Sequence, residues 1–538
     1  MRTRSGQVEG ASAPSDRVIR RARLYPLLTL ALALCATVGI HAVASSATVA
    51  KGPVKVMPQR DWSDAVLYFV IVDRYADGNK ANNAKVDLRN PGGWHGGDLQ
   101  GLAAELDEIA DLGATAIWIT PVVRQISFCP PSQAPVGVTV PGGWFEHCAF
   151  NGYWADDFTK LDPNFGTEDD LRAFVTAAHA RNIKVLLDVV YNHVGYDSRY
   201  LTDPATKDWI RTKPVECSED PINCQVGGLP DLRIELPAVQ DYLLDAHIGL
   251  ARRTGLDGFR IDTVKHIDHD FWQRHRRETR EKLGPDFFLL AEVWGGSATV
   301  LEEYFSTDEM DAGFDFTFSG SCRSFVEGKG RTIAFSSYLE KRHKLPPDHY
   351  LAHYMSSHDE PMALYELGGD KEAFKLCVAL QMASIGIPTI YYGEEVARAG
   401  SVWPLNRGDM PWGKRNVMPG KGVARDEDMR AWYKRLIELR RQNPALTRGA
   451  YRRLSSDGDL LVFERSDAAS GNAVVVAVNR GKADASAVVD LPAAWAGAAV
   501  VQDSLSGAAV PLDAGRLGVT VPARQARIYL RPSNPAPN

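Results

Sequence analysis

Little in this chain suits a nucleic-acid partner. Its 61 lysines and arginines are outnumbered by 67 aspartates and glutamates, and the net charge of −6 offers no broad cationic surface. Membrane-length apolar runs are also lacking. Residues 27–40 are apolar but short of the ~20 residues a comfortable span needs. Cysteine is sparse, at seven, and no internal repeat is present. Apolar content of 45% and charged content of 24% are those of an ordinary globular protein, and 538 residues are too many for one simple domain.

The N-terminus reads as a targeting segment. Arg17, Arg20, Arg21 and Arg23 precede the apolar run, and Ala42-Val43-Ala44 follows as a small-residue cleavage site, the layout of a secretory signal over 1–44. Leu34 before Cys35 argues against lipid attachment. A secreted or periplasmic protein without a stable membrane anchor is the expectation. Cys129/Cys148 and Cys217/Cys224 each bracket a Pro/Gly-rich loop and are candidate local disulfides in an oxidising compartment, although sequence does not fix the pairing. Cys322 and Cys377 read as buried thiols.

After a linker at 45–60, strand-like and helical patterns alternate. Strands are predicted at 66–72, 114–120, 184–190, 258–262, 287–292, 312–316, 350–355 and 389–392. Helices are predicted at 99–112, 168–181, 238–253, 269–283, 332–343, 371–385 and 426–441. Eight buried strands alternating with helices predict an α/β fold, a parallel (β/α)8 barrel over 61–445. Extra length falls at 122–154 and after strand three, where an inserted domain is expected at about 194–236. From 446 to 532, short strands separated by Gly, Asp and Asn predict an antiparallel β-sandwich, with a tail at 533–538. Trp495 is the only tryptophan in that region and reads as packing.

Chemistry in such a barrel belongs at the C-terminal ends of the strands. Strand four, Gly258-Phe-Arg-Ile-Asp262, runs from apolar residues into charge. Arg260 and Asp262 share one side of it, so the arginine keeps the carboxylate ionised, as a nucleophile requires. The same pair would also serve as a structural ion pair. Strand three ends Asp188-Val-Val-Tyr-Asn192-His193, strand five Glu292-Val-Trp294, and strand seven Ser356-Ser357-His358-Asp359. Two neighbouring carboxyls suit glycoside hydrolysis with retention: Asp262 as nucleophile and Glu292, in an apolar run, as acid/base. Asp359, His358 and His193 would grip sugar hydroxyls.

These four ordered motifs resemble those of the alpha-amylase family of glycoside hydrolases, and the resemblance extends from about residue 61 to the C-terminus. It implies that Asp262 is the nucleophile, Glu292 the acid/base and Asp359 the transition-state stabiliser. Tyr153 in Gly-Tyr153-Trp154 would stack under the sugar, with Trp154 beside it. His193, Arg260 and His358 would line the same subsite, and Lys265 and His266 the next. The expected partner is an α-glucan polysaccharide or oligosaccharide, bound by a monomer.

The resemblance also implies calcium, which takes six to eight oxygen ligands. One position would use Asn192, Asp231 of Leu-Pro-Asp-Leu and the His266 carbonyl. A second would use Asp77, Asn79, Asn82, Asn83, Gly96 and Asp98. The chain departs from family patterns in three places. Asn151 stands where many members have His. Ser357 replaces an Asn, so chloride dependence is not expected. No aromatic follows Lys265-His266, which favours hydrolysis over cyclisation. The activity expected is that of a secreted alpha-amylase. A cyclomaltodextrinase, α-glucosidase or glucanotransferase is the same-family alternative, and a non-catalytic membrane partner subunit the remote one.

Overall fold

The computed structural model describes residues 62–531. The expected leader, linker and tail lie outside the described residues. Eight strands close a barrel: β1 (Leu67–Val70), β2 (Ala116–Ile119), β3 (Lys184–Val189), β4 (Gly258–Ile261), β5 (Phe288–Ala291), β6 (Ala312–Phe314), β7 (Tyr350–Tyr354) and β8 (Ile387–Tyr391). Chain neighbours pair in parallel and β8 closes on β1. The strands are buried on both faces, which explains their continuous apolar runs. Gly258 opens β4 because a Cβ there would lie 2.4 Å from the Phe288 carbonyl oxygen of β5.

The predicted strands all form, with one informative shift. β8 starts two residues earlier than the pattern suggested and takes in Pro388, which pairs opposite His353. Proline lacks the donor that marks a strand interior, so the sequence pattern discounted it. The predicted helix at 99–112 is two helices, α1 (Leu99–Ala104) and α2 (Leu106–Leu112). Glu105 leaves helical backbone between them and pairs with Arg415. The buried stripe of Leu99, Leu102, Leu106, Ile109 and Leu112 continues across the break. The other predicted helices form as α3 (Glu168–His179), α4 (Pro237–Thr254), α5 (His269–Leu283), α8 (Thr332–Lys341), α9 (Lys371–Ala383) and α10 (Glu427–Gln442). Two more helices of nine residues or longer were not predicted, α6 (Ala298–Ser306) and α7 (Thr317–Val326), nor were the single-turn helices Val72–Tyr75, Ala363–Glu366 and Pro444–Thr447.

Two long loops rise from the catalytic end. The one after β2 carries a hairpin, Pro131–Gln133 with Trp144–Glu146, stapled by Cys129–Cys148. The one after β3 runs to α4 through short 3-10 turns and contains Cys217–Cys224. Cys322 and Cys377 are buried free thiols. No helix among the described residues is long and apolar enough to cross a membrane.

The C-terminal region is an eight-stranded antiparallel sheet: β9 (Ala450–Ser455), β10 (Leu460–Asp467), β11 (Asn472–Asn479), β12 (Ala485–Asp490), β13 (Val500–Asp503), β14 (Ala509–Asp513), β15 (Arg516–Val521) and β16 (Gln525–Leu530). Its spatial order is 9-10-11-16-13-14-15-12, and the first and last strands come back into contact. On β10 and β11, Val462, Val475 and Ala477 face a core shared with Trp495, Leu517 and Val519. The alternate residues Leu461, Phe463, Val474 and Val476 join the barrel core. Trp495 is buried and donates from Nε1 to Glu464 Oε1 at 2.8 Å, a packing role.

Candidate active site

The barrel brings the strand-end motifs of β3, β4, β5 and β7 to one rim around Arg260. Its guanidinium is 2% exposed and lies 4.9 Å over the Trp118 ring. Nη1 donates to both Asp188 oxygens at 3.0 Å and to Asp262 Oδ1 at 2.8 Å, while Nη2 stands 3.4 Å from Glu292 Oε1. One cation therefore organises three buried carboxyls. Asp188 also accepts from Trp118 Nε1 at 3.0 Å and Tyr153 Oη at 2.7 Å. Burial, aided by the Asp262 charge, pushes Asp188 up to about 7 against Arg260.

Glu292 takes a backbone hydrogen bond from Thr263 at 2.7 Å. Thr263 adopts φ 52° there, a left-handed conformation rare for a β-branched residue. Burial, together with Asp262 and Asp359, pushes Glu292 up to about 8 against the pull of Arg260. It is thus set to hold a proton at neutral pH.

Tyr153 follows Gly152, whose φ of 89° and close approach to the Pro121 carbonyl exclude a side chain. The Tyr153 ring stacks on His358 with centroids 5.4 Å apart. His358 is buried, which pushes it down to about 3, so it is neutral at pH 7. Asp359 is 30% exposed. Burial raises it, but His358, Arg407 and Arg260 outweigh that and hold it below the ordinary value.

His193 is buried, which lowers its basicity, and its Nε2 has no protein partner although the residue lines the cleft. Trp154 packs near His147 and Tyr196 at 4.3 and 5.0 Å between ring centres. Lys265 donates to the Trp294 carbonyl at 3.2 Å. His266 Nδ1 lies 2.6 Å from the Pro221 carbonyl oxygen. The cleft of about 600 Å³ is lined by Tyr153, Trp154, His193, Asp262, Glu292 and Asp359, among others.

A cleft that gathers Asp262, Asp359 and a Glu292 raised by burial on one barrel rim matches what glycoside hydrolysis needs. The family model for the alpha amylase catalytic domain matches residues 69–432. The chain belongs to the alpha-amylase family of glycoside hydrolases. It is 30% identical to a cyclomaltodextrinase of Bacillus sp over 457 residues, 80% of this chain and 75% of that protein. It is likewise 30% identical to neopullulanase 2 of Thermoactinomyces vulgaris, over 87% of this chain and 78% of that protein. Among solved structures, an Anoxybacillus alpha-amylase matches with a TM-score of 0.77 at 30% identity, over 88% of this chain and 100% of that one. A Geobacillus thermoleovorans alpha-amylase complexed with acarbose matches with a TM-score of 0.75 at 29% identity, again over 88% and 100%.

The two calcium positions of the family pattern differ in this enzyme. In the first loop, Asp77 Oδ1 and Asn82 Oδ1 are buried without a hydrogen-bond partner, and a Cβ on Gly96 would lie 2.9 Å from Asn83 Oδ1. Two buried, unpartnered oxygens in one short loop fit a cation. Asp98 does not add a free one: its carboxylate caps α1 and accepts from the backbone of Gly78, Asn79 and Gly101 and from the Asn82 amide. The Asn79 side chain likewise caps a turn at Ala81. At the second position Asn192, Asp231 and the His266 carbonyl do come together, but the Asp231 oxygens already accept from Arg211 and from the Asn192 amide, which also faces the His266 carbonyl oxygen, so the set does not fit calcium.

Sequence reasoning missed Arg407. Its Nη2 lies 3.0 Å from Asp359 Oδ1 and its Nε donates to the His358 carbonyl at 2.8 Å. Nothing in its local pattern marks it, since it sits in an irregular loop after β8. Trp403 of that loop packs on Phe145 and His147 of the β2 loop, at 5.0 and 4.5 Å, and these too carried no signal.

Proposed function

We propose that this enzyme hydrolyses α-1,4-glucosidic bonds of starch-derived glucans with retention of configuration. The observation that carries the proposal is the gathering of Asp262 and Glu292 on adjacent amino groups of the buried Arg260. Two carboxyls tethered to one guanidinium suit the close pair of a retaining enzyme, ~5–5.5 Å apart, better than the wider pair of an inverting one. Protonated Glu292 delivers its proton to the glycosidic oxygen as that bond breaks. Asp262 attacks the anomeric carbon and forms a glycosyl ester. Glu292, now ionised, takes a proton from water, whose oxygen displaces Asp262. Asp359 and the unpartnered Nε2 of His193 bind hydroxyls of the distorted ring, and Tyr153 and Trp154 supply its stacking surface. Lys265, bonded to the Trp294 carbonyl, and His266 would serve the sugar of the next subsite.

A linear glucan is the preferred substrate because this chain spans the whole of both solved alpha-amylases. A cyclic dextrin is the second reading, favoured by the sequence relatives named cyclomaltodextrinase. We also place the enzyme outside the cytoplasm, since the disulfides Cys129–Cys148 and Cys217–Cys224 suit an oxidising compartment; N-terminal sequencing of the mature protein tests this. Calcium, where bound, would sit with Asp77, Asn82 and Asn83 and tie the loop after β1 together.

A product time course on maltoheptaose and on β-cyclodextrin, with Glu292→Gln alongside, tests the activity. Mid-length fragments appearing first from maltoheptaose, and absent in the variant, support the endo-acting reading. Preference for the ring moves the assignment to cyclomaltodextrin hydrolysis. Undiminished turnover by Glu292→Gln refutes the mechanism.

A further inference from the structure

We infer that Arg211 supplies the cation of the Asn192–Asp231–His266 junction, so that this junction holds without calcium. Asp231 is 1% exposed, and its Oδ2 accepts from Arg211 Nε at 2.8 Å. The Arg211 backbone N–H donates to the Asp231 carbonyl at 2.9 Å. The far edge of the guanidinium reaches Glu235 Oε2 at 3.0 Å, so one arginine bridges two carboxylates. Asp231 Oδ1 accepts from the Asn192 amide at 3.0 Å, and the same amide lies 3.4 Å from the His266 carbonyl oxygen. Asn192 Oδ1 faces His193 Nδ1 at 3.3 Å.

Each oxygen that a calcium ion would collect here is therefore already matched to a nitrogen. Calcium wants six to eight oxygens at ~2.3–2.6 Å, and no carboxylate or amide oxygen of Asn192, Asp231 or Glu235 is left buried and unpartnered. The contrast with Asp77 and Asn82 lies within the same molecule. A guanidinium is permanently charged and donates in a plane, so it can bridge carboxylates that would otherwise need a metal.

The junction matters because it carries His193. His193 and Asp231 form an isolated antiparallel bridge, and Leu232 donates to the Asn192 carbonyl at 2.8 Å. The chain from Arg211 to Asp231 is closed on itself by Cys217–Cys224. Arg211 thus acts through the Asp231 segment to hold the sugar-facing imidazole, and it is a positioning residue.

The test measures bound calcium by elemental analysis and melting temperature with and without excess chelator. It compares the wild type, Asp77→Ala/Asn82→Ala, and that double variant combined with Arg211→Ala or Arg211→Lys. The wild type is expected to hold about one calcium per chain and to melt earlier with chelator. The double variant should hold none and show no chelator effect. Adding Arg211→Ala should lower the melting temperature and make it respond to added calcium, as Asn192 turns its oxygen inward. Arg211→Lys, which keeps the charge, should melt between the two and stay indifferent to calcium. Calcium retained by the double variant, or a chelator effect there, overturns the inference, and this result needs no Arg211 variant to fold. An Arg211→Ala protein as stable as its parent overturns it equally.

Discussion

Replacing Arg407 by methionine removes the guanidinium that, among the described residues, touches Asp359, while keeping most of the buried volume. Charges 3.0 Å apart attract by no more than roughly 5–6 kcal/mol at an effective dielectric constant near 20. Asp359 is 30% exposed, so water screens part of this, and a charged hydrogen bond worth about 1.5–3 kcal/mol is the better figure. If that bond matters most when positive charge develops on the sugar, kcat/KM should fall about 10- to 150-fold. The pH profile separates this from general damage. Arg407 helps hold the Asp359 carboxyl down; without it the carboxyl titrates higher, and the acid limb of kcat/KM moves to higher pH. The alkaline limb, which belongs to Glu292, should stay where it is. Arg407→Lys keeps the charge but loses the Nε contact to the His358 carbonyl, so it should fall between. Initial rates on maltoheptaose across pH are the assay. An Arg407→Met enzyme with kcat/KM unchanged and both limbs in place would refute the reasoning.

Because Glu292 must be protonated to act as the acid, and is pushed up to about 8, kcat/KM on glucans should hold through neutrality and fall above about 8. With maltosyl fluoride, whose leaving group needs no proton, that fall should flatten; an equal fall with both substrates would count against the assignment. Arg440 is fully buried and donates to the carbonyls of Met382, Ser384, Leu446 and Gly386. Arg440→Met should cost at least about 3 kcal/mol in urea denaturation, since several buried carbonyls lose their donor. Cys129→Ser with Cys148→Ser frees a loop of sequence separation 19, and by loop entropy should cost roughly 3 kcal/mol. Differential scanning calorimetry against the oxidised wild type checks this.

The barrel was legible because each of its strands is buried on both faces and so leaves an apolar run of its own. The catalytic carboxyls were legible for a related reason. Asp262, Glu292 and Asp359 follow such runs closely, so chain position alone put them on one rim. Boundaries were less so: Pro388 in β8 and the break at Glu105 depend on contacts the pattern does not contain. What only the tertiary structure decided is where the arginines go. Arg407 reaches Asp359 across 48 residues and Arg211 reaches Asp231 across 20, each from irregular chain with no periodic signal. A guanidinium on a long side chain can serve many partners, and the fold, not its neighbours in sequence, selects the carboxylate it meets. The family pattern in the sequence therefore pointed to calcium at Asp231, while the folded chain supplies a donor of its own there.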